Sequence, residues 1–122
     1  MDHDAADVWA VVREVGSVAD WFPAMASSQR TERGRVVMLN DGTELVEDVV
    51  TLDDALRRMQ YRVSGGDLRI DSHLATVDVL DLGDGRSALV YGTDVEPVDV
   101  SIAFDAAIGE AVSGLNGYLA SR

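Results

Sequence analysis

The first quarter of the chain shows helical periodicity followed by a stop. Asp4 can act as an N-cap, and four valines then recur at helical spacing: Val8, Val11, Val12 and Val15. Gly16 is placed to end this helix, Ser17 to Asp20 can form one further turn, and Pro23 forces Phe22 out of the helical region. The pattern predicts a helix, a glycine break, a short turn and a stop.

The middle of the chain alternates between apolar and polar residues, which predicts β-strands. Turn signals separate the alternating stretches: "NDG" at Asn40–Gly42, "GG" at Gly65-Gly66 and "GDG" at Gly83–Gly85. Five strands are predicted, at Arg35–Leu39, Thr43–Leu52, Arg58–Ser64, Ser72–Leu82 and Ser87–Glu96.

The last part of the chain is predicted to be a long helix, from Val100 to Leu119, after Pro97 ends the strands. Its apolar stripe comprises Ile102, Ala106, Ile108, Val112, Leu115 and Leu119. Three glycines at positions 109, 114 and 117 weaken this helix by about 1 kcal/mol each relative to alanine. We therefore expect it to depend on packing against the sheet.

Several polar side chains share the strand faces that should point toward this helix: Glu47, Tyr61, His73, Tyr91 and Thr93. Inward polar groups are costly unless they are paired or solvated, so the set indicates a pocket. His73 and Glu47 are the candidate acid/base residues, and Tyr61 and Tyr91 are candidate hydrogen-bond donors to a carbonyl or an enolate. The alternative is that these groups simply bond one another in a satisfied buried network.

Composition excludes several chemistries. The 122 residues fit one domain, 1–122, and all ten basic residues are arginine, against 22 acids, for a net charge of −12. This balance disfavours nucleic acid and anionic membranes as partners. Without lysine or cysteine there is no Schiff base or thiolate, and two histidines cannot make a three-histidine metal site. We expect no metal, no cofactor and no membrane-inserted segment, and a cytoplasmic location.

The order of these elements resembles a known family. The chain is similar to START-like proteins of the SRPBCC superfamily, within the polyketide cyclase/dehydrase branch of small bacterial proteins. The residues that carry the resemblance are Val8-Trp9, Asp20-Trp21-Phe22-Pro23, Asp41-Gly42, Glu47, Tyr61-Arg62 and Glu96-Pro97. Two departures stand out: Phe22 occupies a position where many relatives have histidine, and the family's strand before the first helix has only Met1–Asp4 in its place.

The resemblance implies an α+β helix-grip fold, in which a curved antiparallel sheet of about six strands wraps around the C-terminal helix. Trp9 and Trp21 would then close one end of an internal cavity, as core residues or as ligand contacts. The ligand-binding candidates are Trp9, Trp21, Tyr61, His73, Tyr91 and Thr93. The implied function is binding of a small hydrophobic molecule, a lipid or a polyketide-like compound. The alternative is a polyketide cyclase, dehydratase or isomerase that uses the acid/base residues of the same cavity.

Loss of the first strand would leave one edge of Ser87–Glu96 without a partner. An exposed regular edge is a template for another strand, and little in this segment blunts it, since Ser87 to Val95 carries one charge and no proline. We therefore expect a homodimer with this strand or the N-terminal segment at the contact. The alternative is that the natural gene encodes the strand upstream of Met1.

Overall fold

A computed structural model describes residues 1–122. Helix α1 spans Ala5–Val12 and is followed by a 3-10 turn at Val15–Asp20. Six strands come next: β1 Met25–Arg30, β2 Gly34–Leu39, β3 Glu44–Asp53, β4 Arg58–Gly66, β5 Ser72–Gly83 and β6 Arg86–Glu96. A second 3-10 turn, Val98–Val100, leads into helix α2, Ser101–Ala120. None of the helices is long and apolar enough to cross a membrane.

The six strands form one antiparallel meander in chain order, β1-β2-β3-β4-β5-β6. The sheet curls into a half-barrel, and α2 lies along its concave side, so the helix-grip fold predicted from the sequence is confirmed. No strand precedes α1. Instead, Met1 alone pairs with β6. Its amino group donates to the Ser87 carbonyl at 2.7 Å, and the Ser87 N–H donates to the Met1 carbonyl at 3.0 Å.

Strand β1 is absent from the sequence prediction. Its residues, "MASSQR", are small and polar with no alternation, and only Met25 is buried. The strand forms because Ser28 joins it to the preceding 3-10 turn: its hydroxyl donates to the Gly16 carbonyl at 2.8 Å and accepts from the Ala19 N–H at 3.1 Å. A Cβ at Gly16 would stand 2.9 Å from the Cβ of Arg30. Gly16 therefore permits close approach to β1, whereas the sequence predicts it as a helix C-cap.

The core joins the two helices to the inner face of the sheet. Twenty buried apolar residues form a single cluster, contributed by α1, the 3-10 turn after it, the inner sheet face and the second half of α2. In α2 the fully buried residues are Ala111, Leu115 and Leu119. Ile102, which the sequence places on the apolar stripe, is 78% exposed. The first half of α2 thus contains no buried residue, although Ala107 packs against the cluster.

Candidate functional site

The space between the first half of α2 and the sheet is a cavity of about 450 Å³. Thirteen of its eighteen lining residues are hydrophobic. The helix contributes small and aromatic side chains, chiefly Ala103, Phe104 and Ala107, and the sheet contributes Leu45 and Val63 among others. A volume of this size, with an apolar wall and a few polar groups, is typical of sites for small organic ligands.

A buried ion pair stands at the inner end of this cavity. Arg35 of β2 and Glu47 of β3 are directly opposite in the ladder, and Arg35 Nε donates to Glu47 Oε1 at 2.6 Å. Their residues are 1% and 3% exposed, and Glu47 lines the cavity. Burial opposes the charge on Arg35, but the adjacent Glu47 carboxylate outweighs it and the pKa of Arg35 is raised. Arg35 therefore remains charged in the core.

Arg35 has two further contacts that hold it in place. One guanidinium nitrogen donates to the Val15 carbonyl at 3.2 Å, and the guanidinium carbon lies 4.7 Å from the centre of the Tyr61 ring. Arg35 is missing from the residues predicted to be functional. The hairpin turn at Asn40–Gly42 sets the register that places it opposite Glu47, so the signal was present in the sequence.

Tyr61 and Tyr91 meet through their hydroxyl groups. Burial raises the pKa of Tyr61 well above its ordinary value, and it raises the pKa of Tyr91 to about 12. Both phenols are therefore protonated at neutral pH and can donate or accept hydrogen bonds. Only Tyr61 lines the main cavity, whereas Tyr91 lies with Thr93 in a separate groove between β6 and α2.

The side chain of His73 accepts a backbone hydrogen bond where the pairing of β4 and β5 ends. Strands β4 and β5 pair from Arg58 and Asp78 as far as Tyr61 and Ala75. Beyond that point the Val63 N–H donates to His73 Nδ1 at 3.0 Å. The ring also packs edge-on against Phe104, with 5.6 Å between centroids. His73 thereby bridges β4 and β5 at the point where these two strands separate.

This bond fixes the proton arrangement of the imidazole. Burial, with a smaller contribution from the Arg62 charge, lowers the pKa of His73 to about 4, so the ring is neutral at pH 7. Since Nδ1 accepts from the backbone, the single proton lies on Nε2. The side chain is 5% exposed and lines the cavity, so Nε2–H is a hydrogen-bond donor available to a ligand.

The two tryptophans do not line the main cavity. Trp9 is buried under the β3–β4 loop and its indole N–H donates to Asp54 Oδ1 at 2.8 Å. Trp21 packs beside Phe22 and α2, and its buried indole N–H has no partner. The cavity end is closed by Phe22, the neighbour of Trp21. Trp9 and Trp21 are thus core residues, and of the predicted site residues Glu47, Tyr61 and His73 come together at the cavity.

The polar groups at the cavity are few. No group of three or more histidine or acidic side chains is arranged to hold a metal ion. Tyr61 and His73 offer hydrogen-bonding groups to the cavity and Glu47 a paired carboxylate, and Asp41, Thr43 and Asp99 also line it.

Several solved structures share this fold. XoxI from Bacillus cereus is 24% identical, with a TM-score of 0.81 and alignment over 99% of this chain and 89% of that one. A START superfamily protein from Mycobacterium smegmatis is 17% identical, with a TM-score of 0.70 over 98% and 88% of the two chains. A point mutant of norcoclaurine synthase from Thalictrum flavum, in complex with a transition-state analogue, is 19% identical, with a TM-score of 0.69 over 98% and 88%.

Sequence comparison adds the family. No curated protein sequence matches this chain. The family model described as "Polyketide cyclase / dehydrase and lipid transport" matches residues 2–120. The chain therefore belongs to the polyketide cyclase/dehydrase and lipid transport family.

Proposed function

We propose that this protein binds a small hydrophobic molecule, a lipid or a polyketide-like compound, in the cavity under α2. The observation that carries the proposal is the cavity itself, about 450 Å³ with thirteen hydrophobic residues among its eighteen lining residues. The first half of α2 leaves this space unfilled, although side chains as large as Phe104 and Ile108 are available there. A protein interior is normally close-packed, so an apolar space of this size favours occupation by a ligand.

The state of His73 favours binding over acid/base catalysis. A general base needs a free lone pair, but Nδ1 already accepts from Val63 and Nε2 carries the proton. Glu47 is held by Arg35, and Tyr61 is protonated. These groups can orient a ligand by hydrogen bonds, as the polar groups of a binding pocket do.

The test fills the cavity with a side chain. Ala107 of α2 lines the cavity, whereas its neighbour Ala106 is exposed and does not line it. We expect the neutral fluorophore N-phenyl-1-naphthylamine to bind the wild-type protein and Ala106→Trp, and to lose at least about tenfold in affinity for Ala107→Trp. Equal binding to both variants would show that the fluorophore sits elsewhere.

The second candidate is cyclisation, dehydration or isomerisation of a polyketide-like substrate in the same cavity. It is favoured by the presence of a carboxylate, Glu47, and a phenol, Tyr61, at one end of an apolar space. Native mass spectrometry of the purified protein separates the two candidates. A co-purified molecule that keeps both its mass and, after extraction, its chromatographic retention during incubation supports binding alone, and a change in either that Tyr61→Phe abolishes supports catalysis.

We also propose that residues 1–122 are one domain and that two copies associate through β6. The single core cluster, which draws on α1, the sheet and α2, supports the first statement. The second is supported by the position of β6 at an edge of the sheet, where Met1 pairs with it only at Ser87. Because antiparallel bonds alternate, four further residues direct their N–H and C=O groups outward: Leu89, Tyr91, Thr93 and Val95.

A two-fold axis at Gly92 would satisfy all four of these residues. Leu89 would pair with Val95 of the second copy, and Tyr91 with Thr93. Gly92, which has no side chain, would meet its own counterpart on the axis, and the Met1–Ser87 pairing would be left intact. Closed two-fold dimers are the commonest soluble oligomers.

A further inference from the structure

The charged side chains that line the cavity are all acidic. They are Asp41 in the β2–β3 turn, Glu47 at the inner end and Asp99 in the 3-10 turn before α2. Glu47 is neutralised by Arg35, but Asp41 and Asp99 have no ion-pair partner. Both are exposed, so they lie where the cavity meets solvent. The outer end of the cavity therefore carries two uncompensated negative charges.

We propose that the ligand is a cationic amphiphile, with an apolar body inside the cavity and a protonated amine between Asp41 and Asp99. The inference rests on the proposed binding function and specifies the ligand class. An ammonium at the outer end would be attracted by both carboxylates, whereas a carboxylate or phosphate would be repelled by them. The net charge of −12 adds to the same preference at low ionic strength.

Local structure keeps these two charges in place. Asp41 Oδ1 accepts from the Thr43 N–H at 2.9 Å, which fixes the side chain in the turn and lowers its pKa. Asp99 lies at the N-terminal end of α2, where the helix dipole favours a negative charge. The partial positive charge of that helix end would attract an anionic ligand, but the carboxylate of Asp99 at this position repels it. Two arginines are adjacent in sequence to lining residues. Arg62, between Tyr61 and Val63, donates to the His73 carbonyl at 3.2 Å, and Arg69, after Leu68, contacts Asp71.

The inner end of the cavity favours a ligand group different from the ammonium at the outer end. His73 presents Nε2–H to the cavity, and Glu47 is already bonded to Arg35. The ligand therefore has an uncharged acceptor, such as a carbonyl or an ether oxygen, or a plain apolar end there. A second charge at this end would be buried without a partner, which is strongly unfavourable.

The experiment displaces N-phenyl-1-naphthylamine with three chains of equal length that differ in their head group: n-dodecylamine, n-dodecanol and dodecanoate. At neutral pH and low ionic strength we expect the amine to bind at least about tenfold more tightly than the carboxylate, with the alcohol between them. In Asp41→Asn/Asp99→Asn the amine and the carboxylate should come within about threefold of each other. The amide oxygen introduced at position 41 can still accept from the Thr43 N–H, so the turn is retained.

A matched variant separates the site from the general acidity of the surface. Asp84→Asn/Glu110→Gln removes two exposed carboxylates away from the cavity and changes the net charge by the same amount. It should keep the wild-type order of affinities. If wild type shows no preference for the amine, or if both double variants lose it equally, the inference is wrong although the cavity still binds. If none of the three chains displaces the fluorophore, the proposed binding function itself is contradicted.

Discussion

The ion pair between Arg35 and Glu47 is the most deeply buried charged contact of the protein, and its energetics can be measured residue by residue. We expect Arg35→Met and Glu47→Leu each to lower the free energy of unfolding by about 3–5 kcal/mol, because each leaves one buried charge alone. The double variant should be more stable than either single variant. Urea denaturation of the four proteins measures this coupling.

An exposed ion pair provides the control. Arg13 bonds Asp54 at 2.8 Å, with side chains 37% and 62% exposed. Arg13→Met should cost clearly less than Arg35→Met, because water compensates for the lost partner. Additive losses in the Arg35/Glu47 cycle would mean that the two charges do not stabilise each other.

His73 gives the stability of the protein a defined pH dependence. Its pKa is about 4 in the folded chain against an ordinary 6.5, so the unfolded chain binds more protons between these values. Stability from this group is therefore complete above pH 6.5 and is lost as the pH falls toward 4, by at most about 1.4 kcal/mol per pH unit.

His73→Asn isolates this contribution from the many carboxylates that titrate in the same range. Asparagine can accept from the Val63 N–H through its side-chain oxygen but does not titrate. As the pH is lowered from 7 to 4, we expect the unfolding free energy of wild type to fall relative to that of the variant. A difference that stays constant with pH would show that His73 is not protonated on unfolding.

At the scale of single residues, the sequence predicts which face of the sheet a side chain points to better than it predicts what that side chain contacts. Strand alternation places Glu47, Tyr61 and His73 on the inner face, and the structure has all three at the cavity. The partner of each depends on register and curvature, which alternation does not contain. The Nδ1 contact of His73 arises only where β4 and β5 separate, and that separation is a property of the curled sheet.

At the scale of elements, the packing of α2 against the segment Trp21–Pro23 depends on Gly114. A Cβ there would stand 2.2 Å from the Trp21 carbonyl oxygen and 2.9 Å from Pro23 Cδ. We expect Gly114→Ala to lower the free energy of unfolding by about 1–3 kcal/mol through overpacking, although alanine is the better helix former. Thermal or urea denaturation measures the loss.

The same helix offers matched glycines. A Cβ at Gly109 or Gly117 would meet nothing within 4 Å. Gly109→Ala and Gly117→Ala should therefore be neutral or stabilising, by up to about 1 kcal/mol. If all three substitutions stabilise the protein, helix propensity rather than close packing decides the role of Gly114.

Helices and strands with a long periodic pattern were predicted correctly, whereas a strand that forms through specific tertiary contacts was missed. The five alternating strands and α2 are confirmed, with boundaries shifted by a few residues. Strand β1 has no alternation, and it exists through the Ser28 bonds and its pairing with β2. Ile102 has helical spacing but faces solvent, because the helix is not covered on both sides at that point.

At the scale of the whole molecule, the fold was predicted through the family resemblance that the order of elements and the matching residues carry. A meander followed by one long helix agrees with it, because the sheet and the helix can bury their apolar faces against each other. The volume and the lining residues of the cavity could not be predicted from the sequence. They depend on how far α2 stands from the sheet, which is set by Phe22, Gly114 and the other contacts at one end of the helix.

The proposed dimer predicts a specific response to substitution at the edge of β6. Thr93→Pro removes an outward N–H and should give a monomer, whereas Thr93→Val keeps the N–H and should remain a dimer. Higher salt should favour association, because two chains of charge −12 repel each other. Sedimentation equilibrium measures the state, and a wild-type protein that is monomeric at every salt concentration contradicts the proposal.

The uneven burial of α2 divides one continuous helix into two halves of different local stability. Residues 101–110 include none that is fully buried, whereas Ala111, Leu115 and Leu119 anchor the second half in the core. Amide hydrogens of the first half should exchange with solvent through local opening, and those around Leu115 only when the whole chain unfolds. The half that opens is the one that roofs the cavity. We therefore expect its local opening to set the rate at which a ligand enters and leaves. A bound ligand should slow exchange there while leaving exchange around Leu115 governed by global unfolding.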